Sequence, residues 1–347
     1  MNQPRHIAVI SAGMAGLSCA SALQQAGLQV SVFDKSGGPS GRMSTRRGDG
    51  WQCDHGAQYF TARDPQFRAE VALWEQAGAA ALWCPVMRLS GDDGALSGGR
   101  ASERFVGTPR MTAPAALLAA SLTLHTNTAI TGLRRDTNGW RLQAARAGQP
   151  AGQPDGQFDG HIERPRNAHY DAVVLAVPAP QAVPLLQARA PELAALAALA
   201  AGARMHACWA MMLRFEAPLA LGFDAAFVDQ GPLRWVARDS SKPGRDGAET
   251  WLLHASAAWS DAHTALDADS VAAQLLPAFA ALGGALPHSW SAHRWLYAST
   301  EPALTETCAW DAGQGLGLCG DWLNGGTVEA AWLSGRALAQ RIVPACT

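Results

Sequence analysis

One stretch constrains this chain more than any other: HIAVISAGMAGLSCASALQQAGLQVSVFD, residues 6–34. Ile7 to Ile10 form a continuous apolar run, the pattern of a parallel strand buried on both faces. Ala15, Cys19, Ala22 and Ala26 then recur at helical spacing, with Gly16, Ala20 and Leu23 beside them. That small-residue face suits a helix lying close on a sheet. Gly27 ends the helix, and QVSVF resumes a strand that closes in Asp34. The turn between first strand and helix reads Ser11-Ala12-Gly13-Met14-Ala15-Gly16. It keeps two glycines of the dinucleotide pattern G-x-G-x-x-G and puts serine in place of the first. In that pattern the first glycine makes the tight turn, the second admits a pyrophosphate, and the third lets helix pack on strand. Asp34 stands about twenty residues on, where an acid meets a ribose. The unit is read as a dinucleotide half-site, bent but not broken by Ser11.

Composition narrows the setting. At 347 residues, 48% apolar and 16% charged, the chain is long enough for two intimately joined domains around a sizeable core. A formal charge of -2 provides no basic footprint for nucleic acid. The seven cysteines form no C-x-x-C pair and no zinc spacing with histidine, so no metal is expected and reduced thiols are. Arg5 and His6 before an apolar run imitate a secretory signal, but the β-α-β pattern continues past the small residues. No later run approaches a membrane span. A cytoplasmic protein without a membrane partner is expected.

Further along, TLHTNTAITGLRRDTNGWRLQA reads as two strands around the turn Asp136 to Gly139. Residues 145–169, rich in Gly, Pro and Gln, read as a mobile surface excursion, because YDAVVLAVPAP resumes a buried strand directly afterwards. Gln181 to Ala203 is helical in pattern. HACWAMMLRF, LRWVARDS and ETWLLHASAAW read as strands of an antiparallel sheet, and DADSVAAQLLPAFAALGG as a helix with an Asp cap. Two segments point beyond a simple NAD site. In DKSGGPSGRMSTRR, Gly41 and Arg42 put a guanidinium fork beside the pyrophosphate position, while Arg46 and Arg47 read as solvated. In LGLCGDWLNGGTVEAAWLSG a strand ends in Gly320-Asp321 and a helix begins near Thr327, aiming free N–H groups and a positive dipole end at whatever lies there. A flavin edge that gains negative charge on reduction suits that place.

Taken with DHGAQYFTARD, FVGTPRMTA, LRWVARDSSKPGR, WLLHASAAWS and AHRWLYA, these segments resemble the flavin-containing amine oxidase superfamily, and within it the bacterial renalase-like branch. Ser11, Thr327 and Ala330 depart from the family pattern, which has glycine, a basic residue and glycine there. The resemblance implies FAD held without a covalent bond. Gly13, Ala15, Asp34, Lys35, Gly41, Arg42 and Met43 would surround its ADP half, with Ile130 by the adenine. Gly56, Gly320, Asp321, Thr327 and Val328 would meet the ribityl chain and ring. Ala57, Gln58, Tyr59, Phe60, Val106 and Gly107 would face the substrate.

The implied reaction is oxidation of the 2- and 6-dihydro isomers of NAD(P)H to NAD(P)+, with hydride passing to flavin N5 and electrons to oxygen, giving hydrogen peroxide. Such a donor needs no protein base, so no catalytic acid–base residue is expected, and His55 and His293 read as hydrogen-bonded structural groups. An amine oxidase stays open, although it would call on a lysine near the flavin through a water. Only Lys35 and Lys242 exist, and Lys242 sits in an exposed-looking turn. A flavin-binding module without turnover and an NAD dehydrogenase are further alternatives. Trp235, Trp251, Trp259, Trp290 and Trp295 read as core before cage. Arg63, Arg110 and Arg238 read equally as phosphate anchors or surface charges. The expected partners are a small nucleotide substrate and oxygen. The fold class expected is α/β: a Rossmann-type FAD-binding domain from residues 1–60, 105–180 and 298–347, with an inserted α+β substrate domain on an antiparallel sheet from 61–104 and 181–297.

Overall fold

The structure is a computed structural model and describes residues 5–90, 96–98, 102–146, 169–189 and 191–346. A first sheet has six strands in the order Ala309–Asp311, Leu316–Leu318, Ala172–Leu175, His6–Ile10, Gln29–Phe33 and Thr123–His125. Neighbours are parallel except for the outer pair, Ala309–Asp311 against Leu316–Leu318. Ile7, Val9 and Val174 enter the core on one face, while Ala8, Ile10, Val173 and Leu175 enter the core on the other. Cover on both faces explains why these strands read as unbroken apolar runs.

The helix Met14–Gln25 shares its face of the sheet with Val328–Cys346. Here the small-residue face of the sequence finds its use. A Cβ on Gly335 would stand 2.2 Å from the Ala15 carbonyl oxygen, and one on Gly16 would stand 2.0 Å from that of Ser11. Ser18 Oγ donates to the Trp332 carbonyl at 2.8 Å, fixing the crossing. On the opposite face lie the hairpin Thr128–Asp136/Gly139–Arg146 and the helices Ala179–Gln187 and Ala194–Gly202. The segment expected to give two strands gives three, because Thr123–His125 joins the parallel sheet before the hairpin begins. Of the expected surface excursion, residues 147–168 lie outside the described residues.

A second sheet has seven strands: Ser289–Thr300, Met205–Phe215, Glu249–Ala255, Leu233–Arg238, Ala225–Phe227, Met87–Ser90 and Leu96–Gly98. It is antiparallel except where Ala225–Phe227 meets Met87–Ser90. The helix Ala268–Ala280 covers its outer face around Trp251, Leu213 and Phe279. Its cap is Asp267, whose carboxylate accepts from Ser270 N at 2.8 Å. Ala210, Met212 and Leu252 form a smaller cluster with Cys53, Trp51 and Trp295, which packs the short strand Trp51–Asp54 on this sheet. Among the described residues no helix is long and apolar enough to cross a membrane.

Ser11 adopts φ +96°, a backbone region that side chains rarely enter. The turn therefore keeps the shape a glycine would give it, at a cost in strain. A side chain held there costs about 1–3 kcal/mol, against about 0.5–1 kcal/mol for the extra unfolded-state freedom of glycine. Ser11→Gly should stabilise the protein by about 1 kcal/mol, read as a rise in thermal midpoint; a fall would show that the Ser11 hydroxyl contributes more than the strain removes.

Candidate active site

A cavity of about 970 Å³ opens where the parallel strands end at their carboxyl termini. That is where open α/β sheets bind ligands. One side is built by Ser11 and Gly13–Ala15, by Ala176–Pro178 after the strand Ala172–Leu175, and by Gly320–Trp322 after Leu316–Leu318. The opposite wall is the edge strand of the second sheet, His293 to Ser299, with Ala207 and Cys208 beside it. The segment 54–60 runs between the two.

At the dinucleotide end Asp34 is committed to the loop it faces. Its carboxylate accepts from Ala12 N at 2.6 Å and Ser36 N at 2.7 Å, with Ser11 Oγ at 3.4 Å. Gly13 caps the first helix without a side-chain hydrogen bond, which leaves the helix N-terminus open to an anion. A Cβ on Gly41 (φ +56°) would press to 3.2 Å from the Cα of Gly13. One on Gly56 would stand 1.9 Å from the carbonyl oxygen of Arg42, the group that also accepts from Ala57 N at 2.9 Å. Arg42, which lines the cavity, also makes contacts within the protein. Its Nη1 donates to Asp321 Oδ2 at 2.9 Å and to the Ala298 carbonyl at 3.1 Å, while Nη2 donates to Asp321 Oδ1. A bidentate bridge therefore links the loop after the second strand to the Gly320-Asp321 strand end. Thr327 Oγ1 accepts from Ala330 N at 3.0 Å, so a hydroxyl caps the helix.

Deeper in, the lining changes to rings. Tyr59, Phe227, Trp235, His55, His254, His293 and Trp295 all face the space. Phe227 meets Trp235 edge-on at 4.7 Å, and Tyr59 lies 5.5 Å from Trp235. His55 stacks on Trp295 at 5.2 Å and meets His293 edge-on at 4.9 Å. The His55 carbonyl accepts from Trp295 Nε1 at 2.8 Å and lies 3.1 Å from His254 Nε2. Burial lowers the pKa of all three histidines. His293 and Arg46 help bring His55 down to about 3, and burial brings His254 to about 4. The rings are neutral at physiological pH. Sequence reading missed His254; its signal was a polar residue inside the buried run WLLHA.

In the turn SSKPGR both Lys242 and Arg245 are buried, which corrects the expectation for Lys242. Its side chain is fully buried, and Nζ donates to Asp239 Oδ1 at 2.6 Å, Asp54 Oδ2 at 3.0 Å and Gln58 Oε1 at 3.2 Å. Arg245 Nη2 donates to the same Asp54 oxygen at 2.6 Å. Burial raises Asp54, but Lys242 and Arg245 outweigh it and lower its pKa; burial and Asp54 together raise that of Asp239. Gln58 in turn donates Nε2 to the carbonyls of Asp54 at 2.6 Å and Gly56 at 3.2 Å.

Of the residues named from sequence, Gly13, Ala15, Asp34, Lys35, Gly41, Arg42, Met43, Gly56, Ala57, Gln58, Tyr59, Gly320, Asp321, Thr327 and Val328 line the cavity. Four are placed elsewhere. Ile130 packs against the cluster of Leu133, Trp140 and Tyr170 on the far face of the first sheet. Phe60 is 3% exposed and stacks on Phe105, because alternation along extended chain turns it away from the side Tyr59 occupies. Val106 is fully buried, and Gly107 gives its carbonyl to Arg245 Nη1 at 2.9 Å. Arg63, Arg110 and Arg238 are not part of the lining, and Arg238 pairs with Glu249 at 2.9 Å. Trp251 is core, whereas Trp235 and Trp295 line the cavity.

Comparison with known proteins gives this geometry a family. Residues 9–77 match an NAD(P)-binding Rossmann-like domain, and residues 74–343 match the flavin containing amine oxidoreductase family. The chain belongs to that family. FAD is its cofactor. Curated relatives match over short stretches: a bifunctional tRNA 5-methylaminomethyl-2-thiouridine biosynthesis protein of Magnetococcus marinus is 44% identical over 69 residues, and an L-amino acid oxidase of Lachesis muta 42% over 57. Those matches cover 17% and 16% of this chain but only 10% and 11% of the relatives. Similar solved structures include a putative protoporphyrinogen oxidase from Exiguobacterium (TM-score 0.73, 12% identity, 99% of this chain and 100% of that one). A cyclohexylamine oxidase from Brevibacterium oxydans has a TM-score of 0.70 at 12% identity, with 99% of each chain covered. At such identities the likeness is one of fold.

The residues present suit FAD. The open helix N-terminus at Gly13 faces the cavity, Gly41 and Gly56 sit where a Cβ would collide, and 970 Å³ is at the upper end of small-molecule sites, about 300–1,000 Å³. Asp34 and Lys35 would hold the adenosine end, Arg42 and the Gly13 helix start the pyrophosphate, and Asp321 with the Thr327 helix start the far end.

Two outcomes follow from the charges. His55 and His254 stay neutral in the folded chain but titrate near 6.5 when unfolded. The stability this confers is present above pH 6.5 and drains as pH falls through that value toward 4, because the unfolded chain then binds more protons. Thermal or urea unfolding from pH 7 to 5 should lose about 1 kcal/mol per pH unit for each histidine, and His254→Gln should flatten the slope. Lys242→Met, which leaves Asp54 and Asp239 buried with less counter-charge, should cost about 3–5 kcal/mol in urea unfolding.

Proposed function

We propose that the protein oxidises the 2- and 6-dihydro isomers of NAD(P)H to NAD(P)+, with oxygen as acceptor: one dihydro-NAD(P), one O2 and one proton give NAD(P)+ and H2O2. The observation that carries this reading is the charge of the cavity beyond the cofactor residues. Arg234 and Arg294 line it beside three neutral histidines. The lining carboxylates are Asp34 and Asp321, both on the cofactor side, and Glu301, three residues beyond the Ala298 carbonyl that Arg42 holds. Beside the rings such a space favours an anionic dinucleotide over an alkylammonium, because the lining carboxylates lie away from the histidines and from Arg234 and Arg294.

Lys242 weighs the same way. An ammonium has three N–H groups, and Asp54, Asp239 and Gln58 take all three, so none is left to hold a water in the cavity. FAD, bound without a covalent link, supplies the hydride acceptor and returns the electrons to oxygen. The chain has the work of placement. Tyr59 and Trp235 line the space where a flat dihydropyridine would lie, and Phe227 meets Trp235 edge-on. The nitrogen lone pair of the donor expels the hydride, so no side chain must take a proton, in keeping with histidines held neutral.

Anaerobic mixing of the yellow protein with 6-dihydro-NAD, with NADH and with simple primary amines tests the reading by visible absorbance. Fast bleaching by the dihydro isomer alone is expected. Bleaching by amines alone would overturn the reading in favour of an amine oxidase, and a protein that stays yellow with all three would overturn it in favour of a silent flavin-binding module or another substrate.

A further inference from the structure

We propose that the aromatic wall of the cavity is backed by the protein's own cations so that it excludes ammonium ligands, with Arg104 as the specificity-determining residue. The inference deepens the substrate class just given and rests on that reading. Aromatic faces attract cations through the negative face of the ring quadrupole, and a wall of Tyr59, Phe227 and Trp235 would by itself favour an amine. Here the rings already have cationic partners. The Arg104 guanidinium carbon lies 5.3 Å from the centre of the Tyr59 ring, and that of Arg234 lies 5.8 Å from the centre of Phe227.

Arg104 is the unusual member. It is 7% exposed and does not itself line the cavity, so its charge sits behind Tyr59. Nη1 donates to the Ser102 carbonyl at 3.1 Å, and Nε is buried without a hydrogen-bond partner. Among the described residues no carboxylate comes within ion-pair distance of it, and the adjacent Glu103 is held by Arg68 at 2.7 Å. Arg234, in contrast, pairs with Asp229 and is more than half exposed. A buried cation with no counter-ion among the described residues projects its field through the ring toward the cavity, and the protein between them screens it less than water would. An ammonium against the cavity side of Tyr59 meets a ring whose electron density is drawn toward Arg104 behind it, and a like charge. A neutral, electron-rich ring pays neither penalty, and a ligand carrying phosphates gains.

The test compares benzylamine, protonated at pH 7, with its neutral analogue benzyl alcohol, each titrated into the FAD-loaded protein and read by perturbation of the flavin spectrum. The unaltered protein should bind the alcohol more tightly. Arg104→Met should strengthen benzylamine by about fivefold to twentyfold and leave the alcohol within about twofold, whereas Arg104→Lys should keep the original ratio. Equal binding of both probes by the unaltered protein overturns the proposal even if Arg104→Met fails to retain FAD. A Met variant that shifts both probes equally, or neither, overturns it as well. Arg234→Met, at an exposed position, should move the ratio in the same direction by less. Failure of the dihydro-NAD assay would remove the substrate assignment but leave this ratio standing, so the two ideas fail separately.

Discussion

The ammonium of Lys242 is the point on which the two halves of the molecule are hung. It comes from a turn of the second sheet, yet its partners Asp54 and Gln58 belong to the segment that lies against the cofactor site. Burying such a charge is costly unless every donor finds an acceptor, and here each does. Arg245 repeats the link to Asp54, and Thr45 Oγ1 donates to the other oxygen of that carboxylate at 2.6 Å. The segment 54–59 is thereby fixed on one side by ions and on the other by the Arg42 carbonyl. Tyr59 and the His55 carbonyl occupy defined positions for this reason, and the wall they form inherits its geometry from charges that never reach the cavity.

Much of the fold was legible because it is local. The run from Ile7 to Asp34 carries its own periodicity, and Asp267 announces the helix that follows it. The cofactor side was legible for a similar reason: glycines and charged residues at strand ends have few alternative uses. What escaped was long-range. Nothing in SSKPGR reveals a carboxylate 188 residues earlier in the chain; the one local signal is the spacing of Asp239, Lys242 and Arg245, charges at every third position. Phe60 and Val106 were assigned to the substrate side with their neighbours, although extended chain sends alternate side chains to opposite faces. Ile130 was placed by the adenine, and the hairpin carries it instead to the far side of the sheet.

Electrostatically the cavity has two characters. Toward the dinucleotide loop, the negative groups Asp34 and Asp321 are fully engaged by backbone N–H groups and a guanidinium. Toward the rings, burial keeps three imidazoles uncharged while arginines stand behind or beside the aromatic faces. The histidines there are held neutral by burial, and the groups around them control ligand charge. That division suits a reaction whose difficulty lies in choosing and placing a hydride donor rather than in activating one.

The close seating of Gly335 on the Ala15 carbonyl has a consequence for how the protein is made. The fingerprint loop is made well before its cover: the helix that seats on it, and the Asp321 that pairs with Arg42, lie some three hundred residues later in the chain. Until that stretch has emerged, the small-residue face of the first helix is bare and the cofactor site lacks one of its sides. A complete cofactor site therefore needs both stretches of chain, and in the interval between them an alanine-rich helix must be kept from finding other company.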